Sequence, residues 1–291
     1  NCNILLNRAK ANYVSWQLEN TWSGGEPGIA LSLTYRNKNF IKGSETFNIN
    51  IRGGLQRQRY NDENGEIRIF PTREFGAEAN IFFPKLILPF NFNTSRKDHQ
   101  PRTTLTIGYN YQLRPIYERN TIILTLGYNW MRNEYVQHII SIPTVNIVKI
   151  ATTPSFEAIL KKETNQRIKD QYTNHLIFGI DYTYIFTNQD INSLNDFYYI
   201  RGNLQSSGNL ISALNNTSLM KIVDNYHEIF GIRYAQFVRL ALDFRYFKYV
   251  YKDHQIASRF MFGLGIPYGN SNDIPFEKSF YAGGSNGMRG W

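Results

Sequence analysis

Hydrophobic and polar side chains alternate along most of the chain from residue 11 onward. The first such run is Tyr13–Glu19, in which apolar residues occupy alternate positions. Because successive side chains of an extended strand point to opposite faces, this period of two predicts a strand with one apolar and one polar face. The apolar side of this first strand carries Val14, Trp16 and Leu18.

The same pattern recurs in longer runs through the middle of the chain. Two of the apolar sets are Leu105, Ile107, Tyr109 and Tyr111, and then Ile122, Leu124, Leu126, Tyr128 and Trp130. These runs are commonly about ten residues long, the length that a tilted membrane strand requires, whereas the turns of a soluble sandwich recur about every 8 to 12 residues. We count about eleven strands up to residue 266, each reversing direction, and predict an all-β fold, an antiparallel transmembrane β-barrel.

One stretch, residues 151–171, departs from the period of two. Its composition favours helix, with mixed charge between Glu157 and Lys169. We predict one short helix there, with Ser155 as its N-cap, lying in a surface loop between strands.

The charge of the chain excludes some classes of protein. The 291 residues carry a formal net charge of +9, and no apolar run reaches the roughly eighteen residues of a membrane helix. The basic residues are spread over turns and alternate strand positions, so we predict no nucleic-acid partner. Contact with anionic lipid headgroups or a charged lumen suits this distribution better. The lumen charges of the last two strands are predicted to be Arg239, Asp243, Arg245 and Arg259.

Catalytic and metal-binding patterns are not recognisable in the sequence. The five histidines are scattered without metal-ligand spacing, and no Gly-x-Ser-x-Gly elbow is present. We therefore predict no metal, no cofactor and no catalytic residue, in a protein that is not an enzyme.

The last twelve residues, Phe280–Trp291, form a glycine-rich stretch that alternation does not explain. Glycine supplies the left-handed backbone conformations that a tightly folded loop needs. The single cation of this stretch, Arg289, presents a fork of donors suited to a carboxylate partner. We predict a docking loop; the alternative is a disordered tail or linker.

These residues resemble the sixth extracellular loop of the BamA/TamA family of outer-membrane assembly and translocation barrels, also called the surface-antigen type. The signature of that loop is an aromatic-x-Gly-Gly run followed by Arg-Gly-aromatic. The matching residues are Gly283, Gly284, Met288, Arg289, Gly290 and Trp291. Met288 stands where Val or Leu is common, and Trp291 where Phe or Tyr is common. Residues 28–54 also resemble the second and third barrel strands, most closely in the TamA-like (TamL) members of Bacteroidetes.

The resemblance implies a barrel of about sixteen strands in a Gram-negative outer membrane, with the sixth loop following the eleventh strand and folded into the lumen. Residues 1–10 would end a preceding periplasmic domain, 11–266 would form strands 1 to 11, and 267–291 would form the loop. The resemblance also implies that Arg289 reaches an acidic residue on a strand downstream of the loop.

By this resemblance, the protein inserts or exports client outer-membrane or surface proteins, with a periplasmic assembly partner that is TamB-like or of another kind. The first strand has few β-branched residues, so its pairing to a closing strand is expected to be weak and its edge able to template an incoming strand. The second candidate function is a passive outer-membrane channel or receptor. The third is a lipid-cleaving barrel that assembles Ser, His and a carboxylate from different strands.

Overall fold

The computed structural model describes residues 10–23, 26–57, 60–61, 67–68, 72–88, 100–190, 194–213, 217, 220–223, 225–251 and 254–280. Residues 1–9, predicted to belong to a preceding domain, and residues 281–291, which carry the loop motif, lie outside this part.

Strands dominate the described residues. In chain order they are β1 Asn12–Ser23, β2 Glu26–Asn37, β3 Thr46–Gln56, β4 Tyr60–Asn61, β5 Ile67–Arg68, β6 Thr72–Phe83, β7 Arg102–Leu113, β8 Tyr117–Met131, β9 Val136–Thr152, β10 His175–Thr187, β11 Phe197–Ser207, β12 Met220–Val223, β13 Tyr226–Ile229, β14 Ile232–Tyr234, β15 Phe237–Tyr251 and β16 His254–Pro267. The helices are α1 Pro154–Lys162, α2 Gln166–Asp170 and α3 Asn209–Ser212. No helix in the described part of the chain is long and apolar enough to span a membrane.

Eleven long strands form one continuous sheet in the order β1-β2-β3-β6-β7-β8-β9-β10-β11-β15-β16. Each pairs antiparallel with its neighbours, and β14 adds a short parallel pairing to β10. The prediction of an all-β, antiparallel fold is thus confirmed. Within the described residues the sheet is not closed, since β1 pairs with β2 alone and β16 with β15 alone.

The sheet has one apolar face and one polar face, as the alternation predicts. A single cross-strand row shows the apolar face, in which Val14, Tyr35, Ile49, Ala79, Ile107, Leu124 and Val145 are successive partners. Large side chains of this face are exposed, including Trp16 at 74% and Phe260 at 64%. An apolar surface of this extent is unfavourable in water and suits contact with lipid.

Successive long strands reverse direction, so their connections alternate between the two ends of the sheet. The connections after β1, β3, β7, β9 and β11 lie at one end, and residues 268–280 leave β16 at that same end. Residues 268–280, which we call the return segment, therefore begin the sixth connection there. The segment turns back over the polar face, where its contacts define the candidate site.

The connection between β9 and β10 corrects the helix prediction. It contains two helices, α1 and α2, in place of one helix over 157–169. Thr153, not Ser155, is the N-cap of α1, because Pro154 occupies the first helical position, where its missing N–H costs nothing. The Asn165 side chain caps α2 by accepting from the Arg167 N–H at 3.0 Å.

Candidate functional site

The start of the return segment is fixed by hydrogen bonds to the chain just before β15. The buried Asn270 donates from its amide side chain to the carbonyls of His227 and Tyr234, at 2.8 and 2.9 Å. Its backbone N–H donates to Gln236 Oε1 at 3.0 Å. Gly269 has a φ of +58°, and a Cβ there would overlap the Gln236 carboxamide. Only glycine fits this turn without strain.

Ile274 anchors the middle of the return segment in a small apolar core. The core consists of Ile177, Ala235 and Phe237, with Ile177 and Phe237 fully buried, and Ile274 packs against it. Ile177 and Phe237 lie on the polar face of the sheet, where they form an apolar patch. Covering an aliphatic side chain of this size contributes about 1.5–3 kcal/mol. Gly265 of β16 lies directly beneath Ile274, where a Cβ would overlap the isoleucine.

Glu277 connects the return segment to two distant strands. Its Oε1 forms an ion pair with Arg119 of β8. Its Oε2 lies 3.1 Å from Nε2 of His175, the first residue of β10. The three side chains are largely buried, with exposures of 24% for Glu277, 16% for Arg119 and 8% for His175. Shielding from water makes such charge-assisted contacts stronger than surface pairs.

Arg239 of β15 holds the last described part of the segment. Its Nε donates to the Lys278 carbonyl at 2.9 Å, and its guanidinium lies 4.0 Å from the centre of the Phe280 ring. The ring occupies the space above Gly263, where a Cβ would lie 2.7 Å from a ring carbon. Burial lowers the pKa of the Lys278 ammonium, an effect that nearby Asp181 opposes. The Lys278 side chain thus lies in the part of the polar face that Asp181 and Arg239 also occupy.

Asp243 of β15 is the centre of a second charged cluster, farther from the return segment. It accepts two hydrogen bonds from Arg245, at 3.1 and 2.7 Å, and two from Arg259, at 3.0 and 2.8 Å. Arg245 and Arg259 are direct cross-strand partners on β15 and β16. The single negative charge of the carboxylate therefore lies between two cations and reduces their repulsion.

The first strand is the most exposed part of the predicted site. Val14, Trp16 and Leu18 point to the apolar face with exposures of 62%, 74% and 55%. All twelve residues of β1 pair in register with β2, from Asn12 opposite Asn37 to Ser23 opposite Glu26. In the described part of the chain, the other edge of β1 has no strand beside it.

The structure separates the predicted lumen charges into two groups. Asp243, Arg245 and Arg259 are in contact, whereas Arg239 contacts the return segment and Asn203. The motif residues from Gly283 to Trp291 lie outside the described residues, so their docking stays a prediction. Sequence reasoning missed Glu277, His175 and Arg119. The available signal was one acidic residue shortly before the motif, together with charged residues on the polar sides of β8 and β10.

A cavity of about 390 Å³ lies between the return segment and the connections before β10 and β15. Arg167 and Arg233 line it, and both already contact carboxylates: Arg167 contacts Asp273 at 2.9 Å, and Arg233 contacts Asp170 at 3.8 Å. Among the described residues, no group of three or more His, Cys, Asp or Glu side chains is arranged to hold a metal ion.

Comparison with known families gives one match. The sequence model of the Omp85 superfamily domain matches residues 11–291, which is nearly the whole chain. A search of curated proteins finds no match.

Proposed function

Because this chain belongs to the Omp85 superfamily, we propose that it inserts or exports other outer-membrane or surface proteins through the edge of its first strand. The superfamily comprises outer-membrane β-barrels that insert or translocate proteins. Within it, the resemblance of residues 28–54 favours the TamL members, with client proteins, a periplasmic assembly partner and outer-membrane lipid as partners.

The observation that carries this proposal is the geometry of β1. Twelve residues are hydrogen-bonded on one side to β2, and the other edge has no neighbour in the described chain. When the pairing of β1 to a closing strand opens, its edge presents a row of N–H and C=O groups that pairs with another strand. An incoming client strand would use these groups, and Val14, Trp16 and Leu18 would keep the contact in lipid.

Site-specific photocrosslinking in cells tests this use of β1. A photoreactive phenylalanine analogue replaces Trp16, and a matched probe replaces Ile51 of β3, which is 40% exposed on the same apolar face but lies inside the sheet. We expect crosslinks to newly made outer-membrane proteins from position 16 and at most a tenth as many from position 51. Equal crosslinking from both positions would contradict a role for the β1 edge.

A passive channel is the second candidate, and the cluster around Asp243 favours it. Arg245, Arg259 and Arg239 place several cations on the polar face, and such a lining is sufficient to select ions. A channel predicts ion conductance with no change in other membrane proteins after depletion. The proposed function predicts that depletion lowers the amount of folded client barrels.

A further inference from the structure

Glu277 makes contacts on strands that lie far from β16, the strand that precedes the return segment. The segment starts at the end of β16, yet Glu277 reaches Arg119 on β8 and His175 on β10. In the sheet order, β8 is separated from β16 by β9, β10, β11 and β15. This one carboxylate therefore ties the segment across a large part of the polar face.

The receiving side chains are themselves held in place. His175 Nδ1 lies 3.0 Å from the carbonyl oxygen of Thr173, which orients the ring toward Glu277. Arg119 projects from the polar side of β8, and its side chain is 16% exposed. Both receivers are on long strands with partners on each side, so they form a rigid platform.

The other contacts of the segment act near β15, β16 and the start of β10, where Ile274 packs against Ile177 and Asp273 pairs with Arg167 of α2. Asn270 and Ile274 bind residues immediately before or at the start of β15, and Phe280 lies over Gly263 of β16. These contacts fix where the segment begins and ends. Glu277 is the residue that extends the contacts of the segment to β8.

We propose that Glu277 is a latch, a positioning residue that aligns the sixth loop across the polar face by binding Arg119 and His175. This inference rests on the proposed function and adds to it that the return segment is held against the polar face while the first strand accepts a client. Loss of the carboxylate releases the segment from Arg119 and His175 without changing the strand pairing of the sheet.

The test compares Glu277→Gln with Glu118→Gln in the full-length protein in lipid vesicles. Glu118 is the matched control, because it lies beside Arg119 on β8 but on the opposite face of the strand. Hydrogen–deuterium exchange of residues 268–280 reports the position of the segment. Heat resistance of the folded band reports the sheet, and the rate of client folding reports the function.

We expect Glu277→Gln to raise exchange in residues 268–280 at least tenfold and to slow client folding at least fivefold, with heat resistance unchanged. Glu118→Gln should behave as the wild type in all three measurements. The charge-swapped pair Arg119→Glu with Glu277→Arg should recover most of the exchange protection, because it restores an ion pair between the same positions.

Unchanged exchange in Glu277→Gln would overturn the latch. Faster exchange accompanied by a marked loss of heat resistance would also overturn it, because that result indicates a general structural role. Faster exchange with normal client folding would support the latch as a contact but overturn its part in client folding. Client folding that the wild type does not accelerate would contradict the proposed function, and the exchange result would still support the latch. The two failures are therefore distinguishable.

Discussion

Asp243 illustrates how single residues decide the balance of charge on the polar face. Its two oxygens accept four hydrogen bonds from Arg245 and Arg259, which face each other across β15 and β16. Without the carboxylate, two guanidinium groups would stand opposite each other with no anion between them. Cross-strand like charges are destabilising, and the water that reaches them only partly screens the repulsion.

The substitution Asp243→Asn should lower the free energy of unfolding by about 1–2 kcal/mol, since it removes charge-assisted hydrogen bonds while both arginines stay partly exposed. Urea unfolding of the protein in lipid vesicles measures this change. Glu19→Gln is the matched control on the same face, because the Glu19–Arg52 pair is 34% and 54% exposed; it should cost less than about 0.5 kcal/mol. Equal losses for the two variants would contradict the special role of Asp243.

Sequence reasoning at the residue scale finds which side chains share a face but not which of them meet. The period of two places Arg239, Asp243, Arg245 and Arg259 on one face, and the structure shows three of them in contact. Arg239 is different because a loop residue, Phe280, covers it. The contact between His175 and Glu277 joins residues 102 positions apart, and no local pattern encodes such a distance.

The return segment is the element whose position depends most on glycine. Gly263 and Gly265 of β16 leave gaps on the polar face, and the Phe280 ring and the Ile274 side chain fill them. Each gap is specific, because an added methyl group would occupy the same space as its partner. The strand and the segment that follows it are thus complementary in shape.

The substitution Gly263→Ala should displace the Phe280 ring, because the new Cβ would lie 2.7 Å from it. Overpacking of this kind costs about 1–3 kcal/mol, so we expect amide exchange at residues 276–280 to rise roughly five- to hundredfold. Hydrogen–deuterium exchange followed by mass spectrometry measures the change.

Gly53→Ala is the control for this prediction, because nothing lies within 4 Å of its added Cβ. Alanine in an open strand position should leave exchange at 276–280 unaltered and slightly stabilise the sheet. If Gly263→Ala also left residues 276–280 unaltered, the fit between β16 and the segment would be incidental.

Strands in which hydrophobic and polar residues alternate clearly could be predicted from the sequence. Elements that begin or end where this alternation breaks could not. The count of about eleven strands includes three weakly alternating runs, near 73–83, 134–149 and 196–205, and these correspond to β6, β9 and β11. The sequence predicts one helix in the region 151–171, and the structure has two. Glu163 is the C-cap of α1 and Asn165 is the N-cap of α2, and composition alone does not reveal this break. The hairpin strands β12, β13 and β14 are too short to show a period.

At the scale of the whole molecule, a hydrophobic surface and a charged surface lie on opposite sides of one sheet. The apolar side is exposed from Trp16 on β1 to Phe260 on β16, and the polar side carries the return segment. Sequence alternation predicts this division because it depends only on neighbouring residues. The order of the eleven long strands is likewise simple, since each pairs with the next long strand along the chain.

The proposed function of this Omp85 member is the assembly of other membrane proteins. Its most direct test places the full-length protein in lipid vesicles, adds an unfolded outer-membrane barrel as client, and measures the rate at which the client becomes heat-resistant. Ion conductance of the same vesicles is recorded in parallel. We predict that client folding is at least tenfold faster than in protein-free vesicles. Conductance accompanied by no acceleration of client folding would contradict the claim and favour a passive channel.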